Sequence, residues 1–243
     1  MDQDRQPELI LVNNADELAQ TAARLLFSAF EKVTAPLVIL PTGNTPLKTY
    51  DAIANRYAHR RDVWEKFRYL QLDEYKGLPA DDPVLFKNQL SRSFLDRLGV
   101  PQANRMTFQS DAPDPAAECD RMEKWIALNG PPDVAVLGLG DDGHIGFNMP
   151  GSPFDSRTRL VELTPRTLEA NQSYMNKPVP PTSYTLGIGA LSLARQTFML
   201  VGAQKKILSD VLNGPVTPTI PATALRTFLH PVTIIADKAA LEA

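Results

Sequence analysis

Short apolar runs that end in glycine or acidic residues alternate with longer stretches of helical periodicity along most of this chain. That alternation confines the fold class to α/β, a mostly parallel sheet with helices on both faces. Strands are expected at residues 9–12, 37–40, 67–72, 133–137, 159–163, 185–188, 197–201 and 232–236. Behind Asn14, a residue suited to cap a helix, Leu18, Ala22, Leu25, Leu26 and Ala29 recur at helical spacing. Further helices are expected at 83–98, stopped by Gly99 and Pro101, at 115–128, closed by Gly130-Pro131-Pro132, and at 203–212, closed by Gly214. Thr45-Pro46 reads as an N-cap followed by proline at the first helical position. With 243 residues and no repeat or low-complexity tract, the chain is expected to form one domain, residues 1–243.

The charge balance narrows the partners. A net charge of −3 gives no electrostatic reason to expect nucleic acid or an anionic membrane. An anionic ligand must then be held by a few placed groups. No apolar run approaches the roughly 20 residues that span a bilayer, and the polar first residues do not read as a signal peptide. The single cysteine, Cys119, excludes an internal disulfide. A cytoplasmic location is the expectation.

In open α/β sheets ligands sit beyond the carboxyl ends of the strands, and three such ends carry reactive residues here. The first is Thr42-Gly43-Asn44-Thr45, where a strand turns into a helix. Free N–H groups and the helix dipole at that start favour a phosphate, and the two threonine hydroxyls can add bonds. An ordinary strand-to-helix turn would read the same way. The second is Asp73-Glu74. A desolvated carboxylate there could accept a proton from carbon, a pair could hold a divalent metal, and a turn acid capping the next segment is the plainer alternative. The third is the run from Gly138 to Asn148, where glycines surround His144 and let the backbone approach a ligand. Asp141 or Asp142 could orient that imidazole. The spacing Gly138-x-Gly140-x-x-Gly143 also matches a dinucleotide fingerprint, but it lies past mid-chain and Pro150 prevents a following helix. His59 and His230 have no such surroundings.

In this order and spacing, the segments 40–50, 72–79, 138–148 and 202–205 resemble those of the glucosamine-6-phosphate deaminase (isomerase) family, which shares its fold with the 6-phosphogluconolactonases. The resemblance covers about residues 9–237 and implies a modified Rossmann-like sheet with a sugar phosphate across its strand ends. It further implies that Gly43, Asn44, Thr45 and Lys205 hold the phosphate, with Thr42 and Gly138 beside them. Asp73 would move a proton between C2 and C1, and His144, oriented by Asp142, would assist ring opening. No metal and no organic cofactor is implied. The partner is a phosphorylated sugar, with a homo-oligomer left open.

Two positions depart from the deaminase pattern. Met149 stands where a glutamate would partner the histidine, and Ser173 where an arginine would contact phosphate, with Arg166 or a second subunit left as the candidate replacement. The lactonases also lack a carboxylate at the first of these positions. The stretch Leu72-Asp73-Glu74-Tyr75, however, has the deaminase form rather than the lactonases' Gly-Asp-Glu-Arg. The expected activity is therefore deamination and isomerisation of an amino-hexose 6-phosphate. The alternatives are a lactonase-type hydrolase and a sugar-phosphate sensor with weak catalysis.

Overall fold

The structure, a computed structural model, describes residues 4–242. Its first half runs β1 (Glu8–Val12), α1 (Ala15–Glu31), β2 (Leu37–Leu40), α2 (Asn44–Tyr57), α3 (Arg61–Trp64), β3 (Arg68–Gln71) and β4 (Asp73–Tyr75). There follow α4 (Phe86–Leu90), continued through a π turn into α5 (Asp96–Leu98), then β5 (Arg105–Met106), α6 (Pro115–Asn129) and β6 (Val134–Gly138). The rest comprises β7 (Arg159–Glu162), α7 (Pro165–Met175), β8 (Thr182–Thr185), α8 (Ile188–Leu191), β9 (Thr197–Val201), α9 (Leu208–Asn213) and β10 (Val232–Asp237).

Seven strands form one parallel sheet in the order β1-β10-β9-β6-β2-β3-β5. Alternation along each strand divides the core in two. Leu37 and Ile39 of β2 face one cluster with Met122 and Ile126 of α6, whereas Val38 and Leu40 face the other with Leu26 and Phe30 of α1. Helices therefore cover both faces, which is why these strands read as continuous apolar runs. This is the α/β, Rossmann-like arrangement expected from the sequence. From β2 the chain steps outward to β3 and β5, then returns to β6 on the other side of β2 and steps toward β9 and β10. The carboxyl ends of β2 and β6 thus flank a topological switch point, where such sheets leave a crevice.

A second, antiparallel sheet, β4-β8-β7, stands at that end, with Asp73 paired to Thr185. Several expectations are corrected here. The strand placed at residues 185–188 lies instead at Thr182–Thr185, and Ile188 opens α8. At that turn Gly187 packs so close to Ser156 that the Ser156 carbonyl oxygen would lie 2.0 Å from an added Cβ. The helix expected from residue 83 begins at Phe86, and the one expected from 203 begins at Leu208 after a turn. Thr45 is not an N-cap: α2 starts at Asn44 with Gly43 as the cap residue. Among the described residues, no helix is long and apolar enough to cross a membrane.

Candidate active site

The end of β2 reaches α2 through Pro41, Thr42 and Gly43. Gly43 has φ 114°, a backbone state open to glycine and strained for other residues, and it contributes no side-chain cap. The first-turn N–H groups of α2 have no partner within the helix and carry its positive dipole end. Below them, the buried Tyr50 hydroxyl donates to the Pro41 carbonyl at 2.7 Å and fixes the turn.

Just past the end of β3, β4 presents Asp73 and Glu74, whose side chains point to opposite sides of the strand and take different parts. Glu74 is fully buried; its carboxylate accepts from the N–H groups of Tyr75 (3.0 Å), Phe86 (2.9 Å) and Lys87 (3.0 Å) and from Gln71 Nε2 (2.8 Å). It caps the start of α4. Burial pushes its pKa up, and these bonds oppose that push. Asp73 is 8% exposed, and among the described residues no hydrogen bond or ion pair reaches its carboxyl. Burial, reinforced by the negative charge of Glu74, pushes the Asp73 carboxyl up to about 8.

The end of β6 enters the glycine-rich turn. His144 Nδ1 lies 2.6 Å from Asp142 Oδ1, which also accepts the His144 backbone N–H at 3.1 Å. Partial burial works against the Asp142 charge, but the bonds and proximity to His144 hold its carboxyl down at about 2. With the Nδ1 proton shared with Asp142, the ring presents Nε2 as its second working nitrogen. Gly140 makes this possible: a Cβ there would lie 2.2 Å from His144 Nδ1.

Beyond β9, Lys205 Nζ donates to Asp141 Oδ1. From the far side α7 closes the crevice. Its Thr164 cap accepts the Thr167 N–H, and Arg166, Thr167, Ala170 and Asn171 reach the pocket wall.

The resulting pocket has a volume of about 560 Å³. Thr42, Gly43, Asn44, Thr45, Asp73, Gly138, Asp142, His144 and Lys205 all line it, so the residues that the resemblance assigns to the site are brought to one place, while Glu74 stays out of it. Met149 is not on its wall; it packs among Tyr75, Phe86, Phe147 and Leu163. Asp73 and Glu74 do not converge as a metal pair, and no cluster of three or more His, Cys, Asp or Glu that could hold a metal occurs among the described residues. The sequence reading did not identify α7 or its Thr167 and Asn171. Thr164-Pro165, an N-cap residue followed by proline, was the available signal.

A model of the family described as glucosamine-6-phosphate isomerases/6-phosphogluconolactonase matches residues 13–233. The glucosamine-6-phosphate deaminase of Shouchella clausii is 34% identical over 237 residues, covering 96% of this chain and 95% of that protein. That of Pseudarthrobacter chlorophenolicus is 35% identical over 240 residues, covering 97% and 92%. Among solved structures, a monomeric glucosamine-6-phosphate deaminase superposes with a TM-score of 0.92 at 30% identity, covering 97% of this chain and 99% of the other. The 6-phosphogluconolactonase of Trypanosoma cruzi superposes at 0.78 with 22% identity, covering 100% and 97%, and shares the fold.

Proposed function

The chain belongs to the family of glucosamine-6-phosphate isomerases and 6-phosphogluconolactonases, and we propose that within it this protein converts glucosamine 6-phosphate to fructose 6-phosphate and ammonia. The observation that carries the reading is the buried, unpartnered Asp73 carboxyl in the same pocket as the His144–Asp142 pair.

The first-turn N–H groups of α2, the Thr42 and Thr45 hydroxyls and Lys205 hold the phosphate. That anchor leaves the sugar carbons to reach toward the ends of β3 and β6. His144 takes the proton of the C1 hydroxyl and returns one to the ring oxygen, breaking the C1–O5 bond to give the open aldehyde. Asp142 keeps the ring in orientation and balances the charge it gains. Asp73 then removes the proton from C2, and electrons move into the C1 carbonyl. The C1 oxygen takes a proton from solvent, and Asp73 returns the C2 proton to C1 as the nitrogen releases one, leaving an imine at C2 that water hydrolyses to the ketone and ammonia. A carboxylate suits the C2 step because burial has already raised its basicity toward the working pH.

The test is ammonia release from glucosamine 6-phosphate and galactosamine 6-phosphate, run beside Asp73→Asn. Turnover with either sugar that the substitution abolishes is expected. Folded wild-type protein that releases no ammonia and forms no ketose would end the reading. A second reading, lactone hydrolysis, draws on Met149, which leaves Asp142 as the carboxylate paired with His144. Faster loss of 6-phosphogluconolactone with protein than in buffer would favour it.

A further inference from the structure

Three carboxyl groups line the pocket, Asp73, which burial keeps largely protonated near neutral pH, and the carboxylates of Asp141 and Asp142, against two cationic side chains of the lysine or arginine type, from Lys205 and Arg166. A phosphate monoester adds a charge of about −1.5 to −2 near neutral pH. One lysine facing that ligand and the neighbouring carboxylates would leave the site electrically short. Asp142 is committed to His144. Asp141 has a different arrangement: its Oδ1 accepts from Lys205, and its Oδ2 lies 4.0 Å from Arg166 Nη2. A carboxylate bracketed on its two oxygens by an ammonium and a guanidinium occupies the kind of place an anionic ligand takes.

Further along the same wall of α7, Asn171 carries a second signal. Its Nδ2 is buried and has no hydrogen-bond partner, although the residue borders the pocket. A buried amide donor without an acceptor is costly, and a ligand oxygen would satisfy it. Arg166 itself is largely exposed, at 69%, and its guanidinium makes no shorter ion pair among the described residues. Its fork is therefore free to turn inward.

We propose that Arg166 is the second phosphate-binding cation of this site, and that Asp141 is a stand-in anion which the phosphate displaces from Lys205 and Arg166. The ligand brings two or more oxygens to the place of one carboxylate and engages the Arg166 fork in paired bonds. Freed from its two cations, Asp141 turns to solvent, where it is already half-exposed. This deepens the phosphate-holding part of the proposed function and rests on that reading.

The experiment measures inorganic phosphate binding by titration calorimetry at fixed salt, alongside KM and kcat for glucosamine 6-phosphate. Arg166→Gln is expected to weaken phosphate binding by about tenfold to a hundredfold, the range for one charge-assisted bond. KM should rise accordingly while kcat moves less. Arg166→Lys is expected to recover part of the loss, since it restores the charge but not the fork. Asp141→Asn is expected to tighten phosphate binding severalfold. Unchanged phosphate affinity in Arg166→Gln would overturn the role of Arg166, and weaker binding in Asp141→Asn would overturn displacement. The calorimetry needs no turnover. Wild-type protein that binds phosphate through Arg166 yet releases no ammonia would sink the deaminase reading and leave this inference standing.

Discussion

Asp73 ties the proposed chemistry to the stability of the fold, and the tie is measurable without substrate. Its carboxyl titrates near 8 in the fold because burial, and then the charge of Glu74, disfavour the anion. In the unfolded chain it titrates at the ordinary aspartate value, about 3.9. Between those two values the folded protein holds a proton that the unfolded chain has released. Stability attributable to this group is therefore highest below about pH 4, declines as pH rises toward 8 and is level above it. The slope is about 1.4 kcal/mol per pH unit while the two states differ by a full proton. From pH 5.5 to pH 7.5 the wild type should lose about 3 kcal/mol relative to Asp73→Asn, which has no proton to release.

For a chain of this size, 1 kcal/mol corresponds to about 2–4 °C in Tm. The expected gain of Asp73→Asn over wild type across that interval is then about 6–12 °C. Thermal unfolding of both proteins by circular dichroism, in ligand-free buffers of matched ionic strength, reads the difference directly. Parallel Tm profiles would mean that Asp73 is already ionised in the fold and would refute the argument from burial. The same group makes a kinetic claim: kcat/KM should climb as pH rises toward 8, because the free enzyme must release the Asp73 proton before it can act as the base.

Gly140→Ala places a Cβ against the His144 ring, 2.2 Å from Nδ1, and must break the bond to Asp142; turnover should fall by about a hundredfold or more, and activity within twofold of wild type would contradict the role given to the ring. Glu74→Ala strips the acceptor from three backbone N–H groups and Gln71 Nε2; urea unfolding should show a loss of about 3–5 kcal/mol, and a loss under 1 kcal/mol would show that α4 does not depend on this cap.

What the sequence made legible followed from burial. β2, β6, β9 and β10 lie between two helical layers, so each is apolar on both faces and stands out as a short run. α1 carried a buried stripe and a side-chain cap at Asn14, and both signals agree with its structure. α7 escaped because one of its faces lines the pocket and it sends chiefly Leu168 and Met175 into a core, so no stripe repeats along it. β4 is three residues long, with two of them acidic, and its pairing with β8 depends on contacts more than a hundred residues apart. The sequence could say that Asp73 and Glu74 face opposite ways, because strand neighbours alternate. Alternation alone could not say which faced the pocket, since that depends on where the N-terminus of α4 comes to rest; only the resemblance singled out Asp73.

The two departures from the deaminase pattern both bear on α7, which contains Ser173 and packs against Met149. Met149 packs in a small apolar cluster with Phe86, Phe147 and Leu163, against which Leu168 and Met175 of α7 rest. Its sulfur also lies 3.6 Å from the Thr167 hydroxyl. A carboxylate among those side chains would be taken out of water with no cation in the cluster to pair with it. The position therefore holds α7 against the site where a second acid on His144 is implied by the resemblance. α7 is in turn the element that carries Arg166, on the same face as Ser173 and two turns before it, along with the unsatisfied amide of Asn171. If Arg166 binds the phosphate as proposed, the methionine at 149 and the cation at 166 both act through α7, one by packing the helix in place and the other by meeting the ligand's charge. In the proposed reaction ring opening then rests on the His144–Asp142 pair, joined by a 2.6 Å bond, with no second acid at position 149 to share it.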